Sequence, residues 1–351
     1  MRRIALWVGC LIVLLAGCSS TPASDASSGR RAHRAVVLVS GGALVTPFTS
    51  PTEACHDGDG FLAAGNTNTA LRAYLLSHGK QVYTAPAMND WGPVKESSPG
   101  DIGPFRDCPP QLPESMTIMS TGDLDAGGEH LARFVGYLHD RFGVTDVDLV
   151  GHSNGGLWSR AAVKVLKDTG SPVMVRSLTT LGTPNVGAIP PRFHAGEIGL
   201  AACMGQGFCE KTVTGWKSLV ESADKGLSAE DTVRYLSGPD GWNAAQGAAL
   251  DGIPVTVLAG TYFTATGGDP TVWPNDGTVS RSSALAEDVS DTVMPWRACW
   301  TAPLVHWVGY TLELGLPWTT SITDSPDALA RVDQAIDDAD TALAKPNRQG
   351  C

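Results

Sequence analysis

The sequence predicts an α/β fold in which a mostly parallel central sheet carries helices on both faces and one inserted segment. Short apolar runs alternate with longer runs of helical period between residues 35 and 181, and a further apolar run follows at 253–260. This alternation is typical of parallel strands joined by right-handed crossovers. The chain has 351 residues and 42% hydrophobic residues, which is enough for a substantial core. We therefore expect one α/β domain over residues 35–351.

The clearest local signal lies at residues 146–160. An apolar run stops at Gly151-His152-Ser153-Asn154-Gly155, and a helical pattern starts at once. These five residues fit G-x-S-x-G, the nucleophile elbow, in which a serine on a strained strand-to-helix bend exposes its hydroxyl above a parallel sheet. Glycine suits both flanks because a Cβ there would collide with the tightly turned backbone. A plain strand-to-helix turn is the alternative, but the strand and the helix around the motif favour a nucleophile at Ser153.

The elements before this elbow follow the predicted alternation. Residues 35–39 form a strand of the buried type, residues 66–78 predict a helix with Asn or Thr caps, and residues 81–83 predict the next strand. Residues 84–124 are rich in Pro, Gly and Ser and lack periodicity. A loop of that length usually covers a site or is pinned to the fold. Residues 126–141 predict a helix with one apolar stripe, which leads the chain to the elbow strand.

The elements after the elbow are less regular. Residues 173–181 predict a strand, and residues 185–250 then break the alternation. We interpret this segment as an inserted cap over the site, while a solvated helical insertion without a gating role is the alternative. A strand returns at 253–260, and Ser325-Pro326-Asp327 starts a terminal helix, since proline is favoured in the first helical turn.

Residues 1–17 have the features of an export signal. Arg2 and Arg3 precede an apolar run that ends at Leu15-Ala16-Gly17-Cys18, and a polar tether covers residues 18–34. The quartet resembles the bacterial lipobox, which implies that Cys18 is diacylated and anchors an exported lipoprotein on the outer side of a bacterial membrane. A single-pass helix is the alternative, but the apolar run is shorter than the roughly 20 residues that a span requires.

The charge and the cysteines agree with that location. The net charge of −11 argues against nucleic acid as a partner, because no basic stripe is present to neutralise phosphates. An even number of cysteines remains once Cys10 is cleaved away and Cys18 is acylated, which suggests disulfides. Several connectivities are possible, and pairing of sequence neighbours would join Cys55 with Cys108, Cys203 with Cys209, and Cys299 with Cys351. Metal binding is the alternative, but no C-x-x-C motif or Cys/His cluster supports it.

A nucleophilic serine needs backbone donors for the oxyanion that forms during acyl transfer. In the arrangement around a nucleophile elbow, one N–H comes from the residue after the nucleophile, here Asn154, and one from the loop after an early strand. That strand ends here at Ser40-Gly41-Gly42. Gly42 is the candidate for the second donor, with Ala43 next, although a Gly-Gly pair after a strand is often only a turn.

The serine also needs a base, and the base needs an acid to orient it. In the chain order Ser, acid, His, only His306 lies downstream of the best acid loop. His152 is expected to pack beside the elbow turn, and His194 lies in the presumed cap. We therefore assign the base to His306.

The acid candidate is Asp276, in the turn-rich loop that follows the strand at 253–260. Asp269 is the nearest rival, and Asp288 or Asp291 would require a later loop. The alternative for any aspartate in such a loop is an Asx-turn, in which the side chain bonds the backbone two residues on.

Together these motifs resemble the bacterial triacylglycerol lipases and esterases of the α/β-hydrolase superfamily. The resemblance rests on VVLVSGG, GHSNGG, LGTPNVG, NDGTVS and LVHW, and it spans roughly residues 35–310. It implies an α/β-hydrolase fold and hydrolysis of an ester or lipid substrate without a cofactor. It also implies that Ser153 is the nucleophile, His306 the base and Asp276 the orienting acid.

Two features depart from that family. Its first strand usually ends in His-Gly, whereas this chain has Ser40-Gly41. Many of its members bind a structural calcium through an aspartate shortly after the catalytic histidine, but the residues that follow His306 here offer no carboxylate, so no metal is predicted. Acyl transfer or peptide cleavage by the same triad, and a non-catalytic envelope lipoprotein, are the competing functions; the intact Ser, Asp and His disfavour the last.

Overall fold

The computed structural model describes residues 33–56, 63–89, 92, 99–100, 103–104, 108–216, 231–238, 240–345 and 347–351. The predicted signal segment, Cys18 and most of the tether lie outside the described residues. So does part of the predicted cap, at 217–230.

Seven strands form one sheet in the order β2-β1-β7-β8-β9-β10-β11, and each pairing recorded between them is parallel. A parallel pair β3-β6 and an antiparallel pair β4-β5 form two small additional sheets. The strands are β1 (Arg34–Val39), β2 (Val82–Thr84), β3 (Ala87–Met88), β4 (Pro99–Gly100), β5 (Gly103–Pro104), β6 (Ile118–Met119), β7 (Asp146–His152), β8 (Met174–Leu181), β9 (Val255–Gly260), β10 (Arg297–Ala302) and β11 (Arg348–Gln349).

The helices are α1 (Thr69–Ser77), α2 (Leu124–Phe142), α3 (Asn154–Asp168), α4 (Ile189–His194), α5 (Gly207–Gly215), α6 (Val233–Ser237), α7 (Trp242–Ala245), α8 (Arg281–Ala284), α9 (Val308–Leu314) and α10 (Pro326–Ala342). Short 3₁₀ helices occur at Glu114–Met116, Leu200–Cys203 and Trp318–Thr320. Within the described part of the chain, no helix is long and apolar enough to cross a membrane.

The alternation of side chains along β1 divides the core into two layers. Val37 and Val39 belong to the apolar cluster that contains α2 and α3, whereas Val36 and Leu38 belong to the cluster that contains α1 and α10. Successive residues of a strand point to opposite faces, so both faces of this sheet are covered by helices. The prediction of an α/β fold with a mostly parallel sheet and helices on both faces is confirmed.

The helix boundaries follow from local chemistry. The side chain of Asp123 accepts a hydrogen bond from the N–H of Ala126 at 2.8 Å, which starts α2 two residues before the predicted position. Gly143 ends that helix with a φ of 70°, a left-handed conformation that glycine adopts at little cost. Ser325 caps α10 and Pro326 is its first residue, as the sequence predicts.

The carboxyl ends of β1, β7, β9 and β10 lie at one edge of the sheet, because these strands are parallel. Ligands of open α/β sheets bind outside this edge. The loop with Gly42, the elbow at Ser153, the acid loop and the loop with His306 each follow one of these four strands. The topology therefore gathers the predicted site residues from distant parts of the chain.

Three disulfides connect loops and edges of this domain. The cysteines are joined as sequence neighbours, Cys55 with Cys108, Cys203 with Cys209, and Cys299 with Cys351. The last disulfide ties the end of the chain to β10, beside which β11 forms the edge of the sheet. The two-residue strand β11 carries too short a pattern to be predicted from sequence.

Candidate active site

Ser153 occupies a backbone conformation that a serine rarely adopts. Its φ is 52° and its ψ is −132°, at the junction of β7 and α3. A non-glycine residue with positive φ is strained, and such strain persists where the surroundings fix it. Here the N–H of Ser153 donates to the carbonyl of Leu181 at 2.9 Å, and its carbonyl accepts from the hydroxyl of Thr183 at 2.8 Å. These bonds to β8 and the loop after it hold the elbow.

Gly155 shows why the elbow requires glycine on its helical side. A Cβ on this residue would lie 2.3 Å from the carbonyl oxygen of Val39 and 2.6 Å from that of Ser40. Both are backbone atoms at the carboxyl end of β1, the strand next to β7, and cannot yield as a flexible side chain would. The close approach of α3 to the end of β1 therefore depends on a residue without a side chain.

The structure brings the predicted nucleophile, base and acid into one chain of hydrogen bonds. The Oγ of Ser153 lies 3.0 Å from Nε2 of His306, and Nδ1 of His306 lies 2.7 Å from Oδ2 of Asp276. The imidazole is 5% exposed and the carboxylate is fully buried. When the proton is on Nδ1, Nε2 is free to accept the proton of Ser153, which is the arrangement that a general base needs.

Asp276 makes an Asx-turn and also meets the imidazole. Its Oδ1 accepts from the N–H groups of Thr278 at 2.9 Å and Val279 at 2.7 Å, so that Oδ2 is left for His306. The two sequence interpretations of this residue are therefore compatible. Of its rivals, Asp269 accepts from the N–H of Thr271 at 2.8 Å. Asp291 pairs with Arg297 and Arg348.

Gly182 lies beside the predicted acid and base, a position that the sequence alone did not indicate. It follows β8, its φ is 58°, and an added Cβ would lie 2.9 Å from Oδ2 of Asp276 and 3.0 Å from Nδ1 of His306. A side chain here would press on the bond between acid and base. In the sequence, the glycine that directly follows the predicted strand in Leu181-Gly182-Thr183-Pro184 was the signal that could have indicated this close contact.

The backbone near Ser153 separates the two candidates for the second oxyanion donor. The N–H of Ala43 already donates to the carbonyl of Ser120 at 2.8 Å. The N–H of Gly42 donates to no acceptor among the described residues. Asn154 is the first residue of α3, where the backbone N–H has no partner within the helix. Of the predicted pair Gly42 and Ala43, only Gly42 therefore keeps an available donor beside that of Asn154.

A buried carboxyl lies next to Asn154. Asp231 is 2% exposed and interacts through a hydrogen bond with the side chain of Asn154. Burial raises the pKa of Asp231 to about 7, and the bond to Asn154 opposes that rise. No pattern around Asp231 in the sequence indicated this contact.

The described part of the predicted cap contacts the loops that carry Asp276 and His306. Phe208 of α5 stacks on Phe263 at 4.5 Å between ring centroids and meets Tyr310 edge-on at 5.0 Å. The hydroxyl of Tyr310 lies 2.8 Å from that of Thr278, two residues after Asp276. Aromatic pairs of this kind favour fixed packing, so α5 is joined to both the acid loop and the segment after His306.

Comparisons with known proteins find similar lipases over a short stretch of this chain. Two curated triacylglycerol lipases, of Pseudarthrobacter phenanthrenivorans and of Burkholderia plantarii, are each 43% identical to this chain over 61 residues. That stretch is 17% of this chain and 18% and 16% of the two lipases, so it spans about a sixth of each. The resemblance to such lipases is confirmed for that stretch. No protein-family model matches the chain.

Solved structures with a similar arrangement include lipases and esterases. The mature lipase of Bacillus licheniformis shares 15% identity with a TM-score of 0.39, over 72% of this chain and 79% of its own. Naproxen esterase of Bacillus subtilis shares 12% identity with a TM-score of 0.42, over 86% of this chain and 82% of its own. An esterase of Pyrococcus furiosus shares 12% identity with a TM-score of 0.41, over 87% of this chain and 83% of its own.

Proposed function

We propose that this protein is a serine hydrolase that cleaves carboxylic esters through an acyl-enzyme on Ser153. The hydrogen-bonded chain from Ser153 through His306 to Asp276, set on an elbow above parallel strands, carries this proposal. The order of the three residues in the sequence is that of the α/β-hydrolases. The names of the two lipases that align with this chain over 61 residues support an ester of a lipid as the substrate class.

In the first half of the reaction, Oγ of Ser153 attacks the ester carbonyl carbon while its proton passes to Nε2 of His306. The carbonyl oxygen becomes an oxyanion, which the N–H groups of Asn154 and Gly42 stabilise. The C–O bond to the alcohol then breaks, and the alcohol leaves with the proton from Nε2. The acyl group remains on Oγ.

In the second half, water replaces the alcohol. Nε2 of His306 accepts a proton from the water as its oxygen attacks the acyl carbon. The tetrahedral intermediate collapses, the bond to Oγ breaks, and the proton returns from Nε2 to Ser153 as the carboxylic acid leaves. Asp276 keeps the proton of the resting imidazole on Nδ1 and stabilises the imidazolium in both halves.

The test is covalent labelling combined with turnover. A fluorophosphonate should modify Ser153, identified by mass mapping, and a series of p-nitrophenyl esters from short to long acyl chains should be hydrolysed. Ser153→Ala should abolish labelling and turnover, whereas Ser171→Ala, in the turn that follows the far end of α3, should leave both unchanged. Labelling of another serine, or equal labelling of Ser153→Ala, would contradict the proposal. Product analysis with an added alcohol separates hydrolysis, which releases acid, from acyl transfer, which forms a new ester.

We also propose that the protein is exported and held at the cell envelope by a diacylated Cys18. The signal segment in the sequence motivates this proposal, and the three disulfides support an oxidising compartment. The substrate would then be met on the outer side of the membrane.

A further inference from the structure

His152, the residue directly before the nucleophile, contacts the proposed base. It ends β7, its side chain is 2% exposed, and its Nε2 lies 2.9 Å from the main-chain oxygen of His306. The two imidazole rings also touch, with centroids 4.7 Å apart and planes inclined by 46°. Consecutive residues of the elbow thus meet the two ends of one histidine. Ser153 meets its ring nitrogen, and His152 meets its carbonyl.

The contact fixes the protonation of His152. A carbonyl oxygen only accepts hydrogen bonds, so Nε2 of His152 must carry the proton and Nδ1 must carry a lone pair. That Nδ1 is buried and has no hydrogen-bond partner among the residues that the structure describes. Burial, and then the neighbouring His306, lower the pKa of His152 to about 3. The ring therefore stays neutral in the pH range where a catalytic imidazole gains and loses its proton, and it adds no second positive charge beside the imidazolium.

Apart from the contact of its Nε2 with Ser153, three hydrogen bonds to described residues hold His306, and one of them comes from β7, the strand that leads to the nucleophile. Its N–H donates to the carbonyl of Asp276 at 2.8 Å, and its Nδ1 meets Oδ2 of the same residue at 2.7 Å. Its carbonyl accepts from His152. The two bonds from Asp276 fix the base relative to the acid loop. Within the described part of the chain, the bond from His152 is the hydrogen bond that fixes the main chain of the base relative to the elbow.

We propose that His152 is a positioning residue, which sets the distance between Oγ of Ser153 and Nε2 of His306 by holding the carbonyl of His306 through its Nε2–H. This inference rests on the proposed function, because it concerns the geometry of the same nucleophile and base. Reacting groups must lie within a narrow range of distance and angle, and a displacement of about 1 Å can cost about a hundredfold in rate. The loss of one remote donor can therefore reduce turnover without removing any group that touches the substrate.

The test compares side chains that keep or lose the donor. His152→Phe keeps a flat ring but has no N–H, whereas the amide of His152→Gln can donate from nearly the place of Nε2. We expect kcat to fall by about tenfold to a hundredfold in the Phe variant. KM should stay within about twofold, and the Gln variant should recover most of the lost rate. The matched control is His139→Phe, which removes a bond of the same type, from Nδ1 to the carbonyl of Val144 at 2.8 Å, far from the site. That variant should keep its kcat.

A second readout follows the base directly. The proton on Nδ1 of His306, shared with Asp276, should give a far-downfield proton NMR signal in the wild type and in the Gln variant. In His152→Phe this signal should shift or broaden, and in His139→Phe it should not. If the role of His152 were merely structural, His152→Phe would lower stability, as His139→Phe does, and would leave the signal in place.

The outcomes separate this inference from the proposed function. If the wild type neither turns over esters nor labels at Ser153, the proposed function is wrong. If the wild type is active and His152→Phe keeps its kcat, or if Gln is as impaired as Phe, only the positioning role is wrong.

Should the Phe variant fail to fold, His152→Gln is compared with His152→Asn, whose shorter amide cannot reach the carbonyl. A higher kcat for Gln supports the role, and equal kcat values overturn it.

Discussion

Asp276 provides a sharp test of the site because its two oxygens have different partners. Oδ1 accepts from the N–H groups of Thr278 and Val279, and Oδ2 faces Nδ1 of His306. In Asp276→Asn the two backbone N–H groups still require an acceptor, so the amide oxygen stays on their side. The amide NH₂ then faces His306. Since two donors repel, the imidazole must place its proton on Nε2, where it cannot accept the proton of Ser153.

The expected loss is large in activity and small in stability. A wrong tautomer of this kind costs about 10⁴-fold in kcat in serine hydrolases with a triad. Each hydrogen bond of the loop is kept, so the free energy of unfolding should change little. Asp276→Ala instead leaves two buried N–H groups without an acceptor, at about 1–3 kcal/mol each. The Ala variant should therefore lose activity and also about 2–6 kcal/mol of stability.

The assay measures kcat on a short p-nitrophenyl ester and the free energy of unfolding in urea for both variants. Asp269→Asn is the matched control, since it makes the same change in the same loop, at a carboxylate that accepts from the N–H of Thr271. Its kcat should stay within about twofold of the wild type. The role of Asp276 is wrong if Asp276→Asn folds normally and keeps more than about a hundredth of the wild-type kcat, because an orienting acid would then be unnecessary.

Four further predictions extend the test. Ser153→Ala and His306→Ala should each lower kcat by several orders of magnitude, and the double variant should be little worse than either, which steady-state kinetics will check. Asp231→Asn should raise the free energy of unfolding near pH 8 by at most about 4 kcal/mol, as a pKa of about 7 against an unfolded value near 3.8 implies. The Asn variant is the more stable one because, between about pH 4 and pH 7, the buried carboxyl of Asp231 stays protonated in the folded wild type whereas it ionises in the unfolded chain. The stability gained by the Asn variant should therefore shrink as the pH falls below about 7 and vanish below about 4, as urea titrations at several pH values will check. Cys18→Ser should release the protein from the membrane fraction, and unchanged fractionation would count against the anchor. Non-reducing peptide mapping should find no free thiol in the mature protein.

Features that depend on a local pattern of residues could be predicted from the sequence. The elbow around Ser153 is readable because a strand, a G-x-S-x-G turn and a helix follow one another within a few residues. The terminal helix is readable because Ser325 and Pro326 are a cap and a first-turn residue in direct succession. Order along the chain also selected His306, since it is the histidine that follows the acid loop. These signals are short in range and need no knowledge of the fold.

Features that depend on contacts between distant segments became visible only in the folded chain. Ser153 and His306 are 153 residues apart in the chain and are brought to 3.0 Å by parallel strands that end at one edge. The choice of Asp276 over Asp269 depends on which carboxylate reaches the imidazole, and that of Gly42 over Ala43 depends on the carbonyl of Ser120. The bond from His152 to the carbonyl of His306 likewise has no local signature. Hydrogen bonds are directional and short, so which of several similar residues makes one is fixed only when the whole sheet has formed.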